Sequence, residues 1–282
     1  MAAFNIRTML FPEGKRKALT FSYDDGRLPD RRLVEMMNRY GVKGTFNLNT
    51  ERFGMVKTIE LDGKEVDDSV VTAKEVPQLY KGHEVATHAA KHIAVTDCGS
   101  AALYEILEDR KILEELVPYM VQGHAYPFGI YDKDSFSMLK AAGIRYARTV
   151  VSTGDFNLPE NFLEWHPTCH HEDPRLMELA KQFCEKEPPF TKPQLFYVWG
   201  HSFEFERNNN WEIMENLLSY LSGYADILWM ATNGEIVDYV TAYKSLVFSA
   251  DATKVYNPSL QTVWMEFEGR TYKIPSGERL VF

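Results

Sequence analysis

Long apolar runs, cysteine and excess positive charge are what this sequence has least of. No stretch of about 18 apolar residues occurs in its 282, so no membrane-spanning helix is expected. Only three cysteines are present, Cys98, Cys169 and Cys184, an odd and widely spaced set that cannot staple a chain of this size. The first residues, Met1 to Thr8, lack the charged-then-apolar pattern of a signal peptide, which together with the cysteine usage leads us to expect a cytoplasmic protein. Lysine and arginine number 31 against 40 acidic residues, a formal net charge of −9. A chain so acidic repels phosphate backbones, so nucleic acid is not an expected partner. Internal repeats and low-complexity segments are also missing.

What is present is a core. With 45% hydrophobic residues, the chain can bury one large domain of the size usual for an α/β barrel. Short β-branched and aromatic runs alternate with stretches of helical period, the pattern of βα units on a parallel sheet. Seven strands are predicted: 18–23, 44–48, 84–87, 122–126, 145–149, 195–200 and 227–231. Between them, Leu33, Met36, Met37 and Tyr40 form an apolar stripe closed by Gly41, and Thr72 with Glu75 reads as a capping box. Helical spacing recurs over 103–117, 136–142, 176–183, 213–221 and 236–243. Two segments break the alternation. Asp62-Gly63 between alternating runs signals a hairpin, read as an insertion after the second strand that stands beside the site. From about Val247 the pattern turns to hairpins, with 263–267 and 271–274 as arms, so a barrel over 1–246 and a β extension over 247–282 are expected.

In parallel α/β architectures, reactive groups gather at the carboxyl ends of strands. Four predicted strand ends carry polar groups there: Asp24-Asp25-Gly26, His88 with His92, Pro127-Phe128-Gly129, and His201. Adjacent carboxylates reach one cavity only if the strand breaks, which Gly26 permits, and their repulsion divides them into a metal ligand and a base. His88 and His92, four apart, share a face if they lie on one helical turn. Two imidazoles and a carboxylate make a three-ligand set with a position open for water, as hydrolytic zinc sites require. His201 can protonate a leaving group from the mouth of its strand. His170-His171 beside Cys169 reads either as a further metal cluster or as a polar loop near the substrate rim.

With these residues in view, the chain resembles the polysaccharide deacetylases, carbohydrate esterase family 4. Thr20-Phe-Ser-Tyr-Asp-Asp-Gly26 looks like the first family motif, His88-Ala-Ala-Lys-His92 the second, Tyr126-Pro-Phe-Gly129 the third and Val198-Trp-Gly-His201 the last, in family order over roughly residues 17 to 235. The resemblance implies a distorted (β/α) barrel of about seven parallel strands with a C-terminal β-hairpin extension. It also implies hydrolysis of N- or O-acetyl groups on a carbohydrate. One divalent ion would sit on Asp25, His88 and His92: zinc first, with cobalt, nickel, manganese or iron fitting the same ligands. Asp24 would be the base, Phe128 an oxyanion-binding N–H and His201 the acid, with Tyr126, Pro127, Trp165 and His166 near the substrate. An amide or imide hydrolase on a small non-sugar substrate, or a degenerate sugar-binding barrel, are the alternatives. Two departures stand out. Ala89 replaces a Ser or Thr that braces the metal loop, and Ala125 replaces the arginine that braces the base, for which Arg148, Asp155 or His166 are the available substitutes.

Overall fold

A computed structural model describes residues 7–61, 63–96, 99–189 and 192–282; Cys98 and Asp62 lie outside them. The chain runs β1 (Arg7–Leu10), β2 (Lys17–Asp24), α1 (Asp30–Arg39), β3 (Thr45–Leu48), β4 (Thr58–Leu61), β5 (Lys64–Asp67), α2 (Val76–Leu79) and β6 (Glu84–Thr87). There follow α3 (Ser100–Leu116), β7 (Gly123–Ala125), α4 (Lys133–Ala141), β8 (Tyr146–Arg148), β9 (Cys169–His170), α5 (Leu176–Glu185), β10 (Gln194–Gly200), α6 (Ser202–Asn208) and α7 (Glu212–Ser222). The last elements are β11 (Leu228–Met230), α8 (Asn233–Lys244), β12 (Val247–Phe248), β13 (Lys254–Tyr256), β14 (Val263–Phe267), β15 (Arg270–Ile274) and β16 (Arg279–Val281).

All seven predicted strands form, and every pairing among them is parallel. The sheet order is β8-β7-β6-β3-β2-β10-β9, with β11 against the first half of β2. Every residue of β2 is buried, as a central parallel strand covered on both faces must be. The eighth strand, β9, is only two residues long and falls where the sequence suggested a polar loop. Its run-up closes the barrel. The Trp165 N–H donates to the Ala147 carbonyl and the Thr149 N–H to the Trp165 carbonyl on the β8 side. Three residues later the Thr168 N–H reaches the Tyr197 carbonyl of β10. One irregular segment thus bridges the two edges, which is the distortion of this α/β barrel.

The predicted helices cover the sheet. Leu33, Val34, Met36 and Met37 are the buried face of α1, and Gly41, at φ 65, lets the chain leave the helix in a left-handed conformation. Helix α6 carried no usable period in seven residues. The insertion is the antiparallel pair β4–β5, and the tail hairpin is β14–β15, turning through Glu268 and Gly269 at φ 49 and 75. The first strand joins this tail: β1 pairs antiparallel with β14. No described helix is long and apolar enough to cross a membrane.

Asp30 ties three layers together at the start of α1. It is fully buried and accepts hydrogen bonds from the Tyr80 hydroxyl at 2.7 Å and from the Ser202 hydroxyl. Burial raises its pKa to about 7 against the pull of those two donors. A carboxyl whose pKa is raised on folding contributes stability that is full below about pH 4 and fades as pH rises through 7. Denaturant midpoints measured from pH 4 to 8 should therefore fall more steeply in the parent than in Asp30→Asn; parallel curves would contradict this assignment.

Candidate metal centre

The site grows from three strand ends on one rim. Asp24 is the last residue of β2, and Asp25 follows at φ 78 with Gly26 at φ 60, so the chain turns and both carboxylates enter the same cavity. Oδ1 of Asp25 lies 3.6 Å from Nε2 of His92 and 3.9 Å from Nε2 of His88, and no hydrogen bond satisfies that buried oxygen. One ligand atom from each of Asp25, His88 and His92 lies within 4.8 Å of the others. The His88 Nδ1 meets the Ala125 carbonyl at 2.8 Å. A carbonyl only accepts, so the proton sits on Nδ1 and the Nε2 lone pair faces Asp25, the tautomer a ligand needs. Burial also lowers the pKa of His88, and burial with the neighbouring His88 lowers His92 to about 4, so both rings are neutral near pH 7. An orphaned carboxylate oxygen facing two neutral imidazoles fits a divalent cation with an open position.

The two histidines do not share a helical turn, contrary to the expectation from their spacing. They sit in a loop whose Ala89 and His92 adopt φ 58 and 59. Non-glycine residues pay to stay in that region, so other contacts must hold them there. Asn49, after β3, donates from Nδ2 to the carbonyls of His88 at 2.6 Å and Ala89 at 2.7 Å. Asp109 of α3 accepts the His88 N–H at 3.1 Å and the Thr50 N–H at 2.9 Å, and Glu105 accepts the Lys91 N–H at 2.8 Å. These three side chains hold the loop from outside, with no hydroxyl at position 89.

The brace on Asp24 is Arg148. Its Nη2 donates to Asp24 Oδ2, the guanidinium is wholly buried, and it lies 4.4 Å over the Trp199 ring. Ala125 and Arg148 are register partners on β7 and β8, so their side chains leave the sheet on the same face. The guanidinium that meets Asp24 thus comes from the strand beside Ala125. Asn47 donates to the other oxygen, Oδ1, at 2.8 Å. Burial alone would raise the Asp24 pKa, but Arg148 and the nearby His88 and His201 bring it down to about 2. Asp24 is therefore ionised at any ordinary pH.

His201 approaches Asp24 as His88 does, its Nε2 3.9 Å from Oδ2 against 3.7 Å for that of His88. Its Nδ1 is 3.2 Å from Oε1 of Glu204, a residue the sequence reading passed over because it lies in the undetected α6. Burial opposes the imidazolium, but Glu204 and Asp24 raise the His201 pKa above its ordinary value. The other oxygen of Glu204 faces Nε2 of His170 at 3.2 Å and of His171 at 3.3 Å. This group has metal-like spacing. However, Nδ1 of His170 accepts the Glu172 N–H at 3.2 Å, which leaves the proton on Nε2, so His170 meets Glu204 as a donor and not as a ligand. His171 is sealed between Tyr23 and Phe205.

The remaining anticipated residues fall into two sets. Phe128, at φ 59 and 64% exposed, packs with its ring centroid 4.5 Å from that of His92 at the mouth. Tyr126 and Pro127 are buried behind it, the Tyr126 hydroxyl donating to the Leu163 carbonyl at 2.8 Å. Trp165 is 1% exposed and packs in the core against Tyr146, Phe162 and Tyr197, so it offers no open face to a sugar here. His166 bonds Thr149 at 2.6 Å and lines a separate 300 Å³ cavity with Asp155, where neither residue braces Asp24. A larger cavity of 550 Å³ opens at the amino ends of the strands, away from this chemistry, with Lys43 and Arg145 paired to Glu235 and Asp238.

Residues 12–147, nearly half of the chain, match the family described as Polysaccharide deacetylase, the same family the motifs suggested. No curated protein matches the sequence. Among solved structures, a Mycobacterium smegmatis protein assigned to the polysaccharide deacetylases superposes with TM-score 0.56 at 16% identity, over 84% of this chain and 94% of that one. The peptidoglycan deacetylase PdaC from Bacillus subtilis gives 0.51 at 13% identity, over 83% and 95%. At such identities the likeness is one of fold.

Second-sphere support of this kind typically carries about 10- to 100-fold in metal affinity. If Asp25, His88 and His92 hold a divalent ion, as their donor set fits, Asn49→Ala should weaken its retention against a chelator by a factor in that range; unchanged retention in a folded variant would mean that the loop holds itself.

Proposed function

We propose that this chain is a metal-dependent hydrolase that removes N- or O-linked acetyl groups from a carbohydrate. The observation carrying the reading is the convergence on one rim of Asp25, His88 and His92, with Asp24 and His201 beside them. All these groups lie between residues 24 and 201, so a division near residue 247 assigns the chemistry to the barrel and leaves the tail as an extension.

Asp25, His88 and His92 would hold the ion, zinc by first preference, with cobalt, nickel, manganese or iron suiting the same donors. The chemistry such an ion supplies is polarisation of the acyl oxygen and a lowered pKa for water. Asp24, ionised and held on both oxygens by Arg148 and Asn47, takes the proton from the attacking water. The backbone N–H of Phe128 at the mouth is assigned to the oxyanion. His201, with Glu204 behind its Nδ1, delivers a proton from Nε2 to the departing amine or alkoxide, and acetate is left behind.

The test pairs metal content by mass spectrometry with acetate release from acetylated chito-oligosaccharides and acetylated xylan. We expect one metal per chain and acetate release, with Asp24→Asn keeping the metal and losing about 10²- to 10⁴-fold in turnover. Full activity in Asp24→Asn would overturn the base assignment. Metal without acetate from either glycan would move the reading to a different acyl substrate, an amide or imide.

A further inference from the structure

Beside the triad lies a concentration of positive charge that the hydrolytic machinery does not use, in a chain whose net charge is −9. Asp68, with its side chain 3% exposed at the foot of the β4–β5 insertion, is met by three cations at once. Arg27 Nη1 and Lys57 Nζ each lie 3.0 Å from Oδ2, and Arg207 Nη2 lies 2.7 Å from Oδ1. Arg27 is within two residues of the metal-facing carboxylate, and its Nε is 3.9 Å from Asp25 Oδ2. Three cations against the carboxylates of Asp25 and Asp68 leave one positive charge over, and on the proposed reading Asp25 serves the metal.

Charge balance inside a fold would need one arginine for Asp68. Three cations on one buried carboxylate is an arrangement that self-repulsion disfavours unless another anion completes it. Two further observations point to that anion. Arg207 keeps a buried Nε–H with no hydrogen-bond partner, whereas that of Arg27 faces Asp25. Lys57 and Arg207 keep side chains 48% and 25% exposed, so the excess charge reaches the surface beside the rim. Phe203 backs the group, with the Arg207 guanidinium 4.0 Å over its ring, which fixes the plane of the fork.

Resting on the deacetylase reading, we infer that the substrate carries an anionic substituent, a carboxylate or a phosphate, close to the acetylated position, and that Arg207, Lys57 and Arg27 recognise it. Guanidinium forks pair with both groups in the same two-bond geometry. The insertion supplies Lys57 and Asp68, so it acts in substrate choice through charge.

The experiment measures binding of N-acetylglucosamine, its 6-phosphate and N-acetylmuramic acid to the metal-loaded protein by calorimetry, alongside acetate release from each, for the parent, Lys57→Met and Arg207→Met. We expect one of the two anionic sugars to bind at least about tenfold more tightly than the neutral one, with that ratio falling towards one in both variants and in high salt. The phosphate and carboxylate arms identify which anion is read. Equal binding of all three sugars by the parent, or a ratio unchanged in both folded variants, would overturn the inference. Anion-selective binding with no acetate released from any sugar would uphold it while overturning the deacetylase reading, so the two failures are distinguishable.

Discussion

The ion pair between Asp24 and Arg148, closed off from water inside the barrel, is the contact on which the rest of the site depends. A buried carboxylate without a partner is costly enough to take up a proton, and a protonated Asp24 could not serve as the proposed base. Arg148 prevents that, and it also sets geometry. It spans the barrel from β8 to the end of β2, lies over Trp199 of β10, and shares Asp24 with Asn47 of β3. Four strands are thereby referred to one carboxylate, whose neighbour Asp25 carries the oxygen that faces His88 and His92.

That arrangement accounts for the strain around it. Asp25, Ala89, His92 and Phe128 all hold left-handed backbone conformations at the same rim. Such conformations persist where the surroundings over-determine them. Here the surroundings are Asn49, Asp109 and Glu105 for the histidine loop, and the β2–β3 pairing with the Asp25 N–H on the Asn47 carbonyl at 3.0 Å for the acidic turn.

Much of this was legible in the sequence, and what was not has physical reasons. Strands such as 18–23 and 195–200 are continuous apolar runs because both faces are buried, and their carboxyl ends pointed to Asp24, Asp25, His88 and His201 directly. Strand β9 was unreadable because two residues cannot show a period, and α6 because seven residues beginning at a strand end give less than two turns. Glu204 was missed with it. The His88–His92 spacing suggested a helix because a four-residue offset looks the same whether a helical turn or a left-handed loop brings the rings together. Trp165 sits in a loop segment that sequence alone reads as exposed, but that segment closes the barrel and so turns its indole into the core. The replacement of the motif arginine could be narrowed only to Arg148, Asp155 or His166, because choosing among them requires the β7–β8 register.

The central claim is that Asp24 and Arg148 act as one unit, and a double-mutant cycle of Asp24→Asn and Arg148→Met, read by chemical denaturation, tests it most directly. Breaking a buried pair from either side typically costs about 3–5 kcal/mol, whereas removing both charges leaves nothing uncompensated. The account predicts that the double variant is more stable than the sum of the single losses allows, with a coupling of about 1–3 kcal/mol. Additive losses, with coupling under about 0.5 kcal/mol, would contradict it.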